Sequence, residues 1–372
     1  MNERFFSAPG RVEIGGNHTD HQHGRVLAAA INLEIKCSAV PNGTNTINLE
    51  NKQYGSQSID LENLDVRKDE INTASALVRG VAAWFNTRGY KTGGFDAVIS
   101  SDIPLGSGLS SSAAFEVMLG NIFKGLFGSD ITPLEIAIAG KYAENVYFGK
   151  PSGLMDQAAS SFGGLNMIDF YDPDCTVVTP VKADLSGYEL CVVTTGGDHA
   201  DLTPEYASIP EEMKKVAGFF GKDFLSEITI EEFYSELHKM QDLSKRAILR
   251  SLHFFEDHER VLKQAAALES GNIQAFLDLV TESGRSSLAY LQNVFSPSDS
   301  HNQELTLALA LSEKILAGKG AWRVHGGGFA GTILAFVPDE LKDSYKKQLS
   351  AVFGDNCCLF LNIRNEGGME VT

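Results

Sequence analysis

The sequence is short of the features that mark secreted, membrane or nucleic-acid-binding chains. Its five cysteines, Cys37, Cys175, Cys191, Cys357 and Cys358, are odd in number and form no Cys-x-x-Cys pair. Neither a disulfide framework nor a zinc knuckle is supported by them. No uninterrupted apolar run approaches the roughly 20 residues that a membrane helix needs. Residues 1–6 lack the apolar stretch of a secretory signal. A reducing cytoplasm is the expected location, and no membrane partner is expected. Cations are scarce: 31 Lys and Arg stand against 48 Asp and Glu, for a net charge of −17. Such a surface repels nucleic acid and anionic membranes unless a local basic patch intervenes, and the sequence has none. Neither GxxxxGK[ST] nor an HRD catalytic loop occurs, which excludes an ordinary P-loop enzyme and a protein kinase of the usual kind. Internal repeats and low-complexity tracts are absent too.

What is present is ordinary globular material: 372 residues, 43% hydrophobic and 21% charged. That length suggests two or three domains and a core that needs no staples. Alternating polarity predicts strands at 11–14, 26–31, 35–40 and 95–100, and a buried strand at 188–194. Apolar residues at helical spacing predict helices over 72–86, 110–127 and 135–147. Residues 198–210, polar and proline-punctuated, read as a loop, and 211–317 as mostly helical. Strands are expected on both sides of Gly326-Gly327-Gly328. The result is mixed α and β in two halves, divided near 185–195.

The sharpest local signal is Pro104-Leu105-Gly106-Ser107-Gly108-Leu109-Ser110-Ser111-Ser112-Ala113, between a strand and a helix. Glycines let backbone approach a ligand closely, and the first helical turn offers unpaired N–H groups at the positive end of the helix dipole. Gly106, Ser107, Gly108, Leu109, Ser110, Ser111 and Ser112 therefore form a candidate phosphate cradle, with Ser112 able to turn an oxygen to a metal. The plain alternative is a flexible turn with Ser110 as an ordinary N-cap. It accounts poorly for Ser-Ser-Ser-Ala-Ala directly after a Gly-x-Gly turn.

A second cluster runs from Ala8 to Gly24 and includes Arg11, Asn17, His18, Asp20, His21 and His23. Asn17, His18 and Asp20 offer donors and acceptors together, which suits several sugar hydroxyls. The Arg11 guanidinium suits phosphate. A metal cluster of the histidines matches no zinc spacing, and Mg²⁺ prefers carboxylates; a solvated loop is the bland alternative. Further on come Glu144 and Pro151-Ser152-Gly153-Leu154-Met155-Asp156-Gln157. One carboxylate near bound phosphates can hold Mg²⁺, and another can orient or deprotonate an attacking hydroxyl. Alone, these acids would be read as exposed loop groups.

Taken together, these segments resemble a family. The stretch from Gly10 to His21 is similar to the galactokinase signature Gly-Arg-x-Asn-x-Ile-Gly-Glu-His-x-Asp-Tyr. The serine loop resembles the phosphate motif of the wider GHMP kinases, and Gly153-Leu154-Met155-Asp156-Gln157 resembles the galactokinase segment Gly-Ile-Met-Asp-Gln. Gly196-Gly197-Asp198-His199 with Tyr206, and Val324 to Gly331, extend the likeness to about residue 337. The resemblance implies an α/β (α+β) two-lobed GHMP kinase fold. Its N-terminal domain, 1–190, would hold the phosphate loop; its C-terminal domain, 191–372, would be ferredoxin-like, with the site in the cleft between them. It implies ATP and Mg²⁺, Asp156 as catalytic acid-base residue paired with Arg11, and Glu144 with Ser112 at the metal. Asn17, His18, Asp20, Gly153, Asp156 and Tyr206 would contact the sugar, and the chain would be a monomer or weak oligomer. Adenine contacts are expected from 72–88 or from nearby strands.

The pattern is not met everywhere. Asn17 stands where the signature has glutamate, Glu13 where it has asparagine, His21 where it has tyrosine, and His325 where the C-terminal motif has threonine. An amide at Asn17 could donate to a carboxylate, so galacturonate is an alternative to galactose. A sugar sensor without catalysis, or a kinase of a non-sugar alcohol, fits the catalytic set and the His18-x-Asp20 motif less well. Gly326-x-Gly328-x-x-Gly331 fits a dinucleotide fingerprint, but the strand pattern that follows excludes it.

Overall fold

The structure is a computed structural model that describes residues 3–51, 55–104, 106–150, 152–172, 175–196, 202–329 and 331–371. In chain order its strands are β1 (Arg4–Gly15), β2 (Arg25–Pro41), β3 (Thr46–Asn51), β4 (Gly55–Asp60), β5 (Phe95–Ser101), β6 (Leu165–Asp169), β7 (Val177–Pro180), β8 (Tyr188–Thr194), β9 (Ala321–Val324), β10 (Thr332–Pro338), β11 (Cys358–Leu361) and β12 (Met369–Val371). The helices are α1 (Ala74–Thr87), α2 (Ser111–Phe127), α3 (Pro133–Tyr142), α4 (Met155–Phe162), α5 (Thr203–Phe219), α6 (Ile230–Glu236), α7 (Lys245–Glu269), α8 (Ile273–Ser286), α9 (Glu304–Leu316) and α10 (Lys342–Phe353).

Two sheets organise the molecule. The first has the order β12-β1-β2-β5-β3-β4, with β6 on β2 and β7 on β6. The second has the order β11-β8-β10-β9, antiparallel throughout. Counted from β8, that order is 4-1-3-2 on a β-α-β-β-α-β chain, the ferredoxin-like arrangement. After the second sheet is complete, the chain returns to the first, where Phe5 pairs with Val371 and Ser7 with Met369. The dinucleotide alternative is closed off, since Gly331 is followed by β10 and not by a helix.

Three local expectations are corrected. The strands read at 26–31 and 35–40 are one 17-residue strand, β2. Its first part pairs with β6 and its last part with β5. Asn32, Leu33 and Glu34 come partly to the surface where the partner changes, and that exposed stretch mimics a turn. The helix read at 135–147 is α3 followed by a π-helical turn, Ala143–Phe148. The loop read at 198–210 is helix from Thr203 onward, with Pro210 inside α5; residues 197–201 lie outside the described part. Pro210 removes one helical hydrogen bond, at a cost of about 3 kcal/mol. Burial of Ile209, Met213, Val216 and Ala217 with Phe254 and Phe255 of α7 offsets it.

The two halves meet along β1. Its side chains alternate, so Arg11 and Glu13 leave the strand on the face opposite Val12 and Ile14. All four are buried. Glu13 bonds Arg323 of β9 across the seam, Oε1 to Nη2, at 2.6 Å, and Arg323 also donates to the Ile14 carbonyl at 2.8 Å. Burial pushes the Glu13 carboxyl up to about 7, against the pull of Arg323 and then Arg11. Removing one partner strands the other charge. Arg323→Met is expected to lower stability by about 3–5 kcal/mol, and Glu13→Gln with Arg323→Met by much less. Urea unfolding at pH 8, where Glu13 is ionised, checks this; equal losses for the two proteins would refute it.

Candidate active site

Four segments of β1, α2, the π turn and α4 come together around two carboxylates. Arg11 Nε lies 2.7 Å from Asp156 Oδ1, and its Nη1 donates to the Gly108 carbonyl at 2.6 Å. The Arg11 backbone N–H donates to the Leu109 carbonyl. One arginine thus ties β1, the glycine-serine loop and Asp156 into a unit. Asp156 is in the first turn of α4, where the helix dipole favours a negative charge. Its Oδ2 accepts from Ser110 Oγ at 2.5 Å. Burial by itself would raise the Asp156 carboxyl; Arg11, then Lys150, and the bonds from Arg11 and Ser110 outweigh it, and the group falls below its usual range.

Ser110 is not an ordinary cap. It sits in the left-handed region at φ +57° and makes no capping bond. A non-glycine residue there is strained by about 1–2 kcal/mol, and the conformation turns its hydroxyl to Asp156. Gly106 and Gly108 share the left-handed region, at φ +69° and +68°. Gly108 is close to Thr332, whose Oγ1 would stand 2.7 Å from an added Cβ. Ser107 Oγ is tied to the Pro104 carbonyl, Leu109 is buried, and Ser111 opens α2.

Glu144 lies on the π turn, 1% exposed. Such turns re-aim side chains and are frequent at functional sites. Its Oε1 accepts from Ser112 Oγ and Lys150 Nζ, each at 3.0 Å. Its Oε2 accepts from Ser152 Oγ at 2.5 Å and Gln157 Nε2 at 3.0 Å. Gln157 also donates to Glu116, a buried acid one helical turn beyond Ser112. Burial, then the charge of Glu144, pushes Glu116 well above the usual carboxylate range. Glu116 is therefore held neutral.

The 16–24 segment is anchored from below. Asp257 of α7 accepts from the backbone N–H groups of Gly16 and Asn17, at 3.2 and 2.9 Å, and His253 Nε2 donates to the Asn17 carbonyl. The Asn17 side chain is fully buried and committed. Its Nδ2 donates to Glu13 and to the Gly326 carbonyl; its Oδ1 accepts from Asn293 and Ser287. His18, at φ +57°, bonds the Gly327 carbonyl through Nε2 at 2.9 Å. Burial holds His18 down to about 4 and His21 well below its usual value, so both rings are neutral. The carbonyl then fixes the hydrogen on His18 Nε2. Its Nδ1 accepts from His21 Nε2, leaving His21 Nδ1 buried without a partner among the described residues. His23 stacks on Phe224.

Asp20 is near Asp156. Burial, then the Asp156 charge, raises its carboxyl to about 6. Gly153 lets it approach: a Cβ there would stand 1.7 Å from Asp20 Oδ2. Tyr206 donates to the Gly328 carbonyl at 3.1 Å and lies edge-on to Phe329. His325 accepts the Glu13 N–H. Gly197, Asp198 and His199 lie outside the described residues.

Arg11, the 106–112 loop, Glu144, Gly153, Asp156 and Asp20 are therefore brought together, and Asn17 faces inward to hold the loop. The sequence reading missed Lys150, Gln157, Glu116, Asp257, His253 and Asn293. An acid inside the apolar α2 was a signal for Glu116; α7 carried none for Asp257.

The comparisons agree with this architecture. A family model described as the GHMP kinases N terminal domain matches residues 76–164. One described as the galactokinase galactose-binding signature matches residues 2–40. Among solved structures, Lactococcus lactis galactokinase complexed with galactose is similar at TM-score 0.87 and 24% identity, over 100% of this chain and 95% of that one. Methanococcus jannaschii mevalonate kinase is similar at TM-score 0.70 and 17% identity, over 98% and 99%. The Lin0012 protein of Listeria innocua is similar at TM-score 0.73 and 14% identity, over 100% and 99%. The fold is the one shared with these kinases, and residues 76–164 are similar to the GHMP kinases N terminal domain. The chain also matches the galactose-binding signature of galactokinases over residues 2–40.

Gly153→Ala tests the Asp20 approach. The clash is with a movable carboxylate, so stability should change by less than about 1 kcal/mol. Sugar binding should weaken about ten-fold or more if Asp20 is displaced. Thermal unfolding and the sugar's KM measure the two; an unchanged KM would refute the assignment.

Proposed function

We propose that the protein is a galactokinase, transferring the γ-phosphoryl group of ATP to the C1 hydroxyl of galactose. The reading is carried by the Arg11–Asp156–Ser110 arrangement beside the glycine-serine loop. The C1 oxygen forms a bond to the γ-phosphorus while the bond from that phosphorus to the β–γ bridging oxygen breaks, releasing ADP. The hydroxyl proton passes to Asp156. A carboxylate held this low is a weak base, so it first orients the hydroxyl and takes the proton as the new bond forms. Phosphoryl transfer depends mainly on positioning and charge neutralisation, which suits that role. Arg11 meets charge on the γ-phosphoryl group. Backbone N–H groups of Gly106, Gly108 and the first turn of α2 receive the other phosphates.

Ser112 Oγ and Glu144 Oε1, 3.0 Å apart, are hard oxygen donors of the kind Mg²⁺ prefers. No group of three or more His, Cys, Asp or Glu is poised for a metal among the described residues. That suits an ion held by one or two protein oxygens, with phosphate and water completing its shell. Bound there, Mg²⁺ would offset the charge of the β- and γ-phosphates.

His18, Asp20, Gly153 and Tyr206 form the sugar side of the site. Asn17 acts through loop position. Donation from Asn17 to a galacturonate carboxylate would need a free amide hydrogen, and both already have partners. Galactose is therefore the leading substrate and galacturonate the second. The assembled catalytic set argues against a purely sensory role. The division into lobes 1–190 and 191–372, with β12 returning to the first, belongs to this proposal, as does a cytoplasmic monomer or weak oligomer. Among the described residues no helix is long and apolar enough to cross a membrane.

ADP release with ATP and Mg²⁺ tests the reading, comparing galactose with galacturonate. Asp156→Asn is expected to lower kcat by about 10²–10⁴-fold with the fold intact; undiminished turnover sinks the assignment. The pH profile gives a separate check. Asp20, raised to about 6, accepts hydroxyls on both oxygens only when ionised. The sugar's kcat/KM should therefore fall as pH drops through about 6, and Asp20→Asn should abolish that limb. An identical limb in the variant would remove Asp20 from sugar binding.

A further inference from the structure

Lys150 places a second cation at the site, on Glu144. It follows Gly149, whose φ of +88° turns the chain out of the π turn. The N–H groups of both residues bond the Glu144 carbonyl at 3.0 Å, so the Lys150 backbone is pinned to the residue its side chain neutralises. Its Nζ lies 3.0 Å from Glu144 Oε1, the oxygen that also accepts from Ser112 Oγ. The two side chains differ in exposure: 52% for Lys150 and 1% for Glu144. An open, flexible stem carries an ammonium inward to a buried anion. Lys150 also lies close enough to Asp156 to help Arg11 hold that carboxyl down.

That position conflicts with a metal. The Glu144 oxygen bonded to Lys150 is the one that, with Ser112, offers a divalent cation its donors. An ammonium and a divalent cation at one carboxylate oxygen repel each other. Loading the site must therefore release the ammonium, whose backbone stays tied beside it. Glu144 Oε2 already accepts from Ser152 and Gln157, and Asp156 is held by Arg11 and Ser110. The acceptors that arrive are phosphate oxygens, to which a lysine binds as a mobile point charge.

We propose that Lys150 is a phosphoryl-contacting residue: it neutralises Glu144 in the empty site and moves to the transferring γ-phosphoryl group when nucleotide and metal are bound. The proposal rests on the reading that Ser112 and Glu144 face the metal. Because its stem is half exposed, Lys150 can be replaced without opening a cavity.

The test uses the full chain and Lys150→Met, with Lys150→Arg as the charge-conserving control. Binding of a fluorescent N-methylanthraniloyl ATP is followed in EDTA and during a Mg²⁺ titration, beside steady-state kinetics. In Lys150→Met, nucleotide affinity at saturating Mg²⁺ should fall about ten-fold, as for loss of one charge-assisted hydrogen bond. Its kcat should fall about ten-fold or more with the sugar's KM unchanged. The Mg²⁺ midpoint for nucleotide binding should move to lower concentration, because the competing ammonium is gone. Lys150→Arg should retain most of both properties. Wild-type affinity at saturating Mg²⁺ and wild-type kcat in Lys150→Met would reduce Lys150 to a counter-ion of Glu144 and overturn the proposal. An unmoved Mg²⁺ midpoint would overturn the exchange at Glu144. If the wild-type chain itself bound no nucleotide, the kinase reading would fail, and this inference with it.

Discussion

Burial of charge along a single strand governs this molecule. β1 carries Arg11 and Glu13 on one face and Val12 and Ile14 on the other, and all four are buried. A buried charge is tolerated only when paired and hydrogen-bonded. Arg11 therefore requires Asp156 and the Gly108 carbonyl, and Glu13 requires Arg323 and Asn17. The first demand holds the glycine-serine loop and α4 in place. The second ties the four-stranded sheet to the strand that carries the site.

The same economy of partners explains the backbone irregularities. Ser110 takes a left-handed conformation and directs its hydroxyl to Asp156. α3 runs into a π turn that brings Glu144 within reach of Ser112. β1 has register shifts next to Arg11 and next to Glu13. Such departures from regular geometry carry strain and cluster where function demands it. Each here aims a polar group into the site.

Much of this was legible in the sequence where chemistry depends on residue type at short spacing. Gly-Ser-Gly-Leu-Ser-Ser-Ser before an apolar helix is a local signal, and the predicted helix at 110–127 forms as α2 at 111–127. What lay beyond reach is long-range. Asp257 and His253 fix the 16–17 backbone from more than 230 residues away, as the separations of these bonds show. Lys150 reads locally as an ordinary surface lysine. Helix α5 was hidden because proline and polar residues dominate its sequence, while its stability comes from packing on α7.

The sequence by itself determined the inventory of groups: a glycine-serine loop ahead of a helix, an arginine, two acids and a polar glycine-rich segment, all set by residue identity over short spans. The tertiary structure alone decided how these groups share one another. It gave both Asn17 amide hydrogens internal partners, and it joined Ser110 to Asp156 and Ser112 to Glu144. The reason is physical. A side chain's type states which bonds it can make, but which bonds it makes depends on the partners that burial brings within 3 Å.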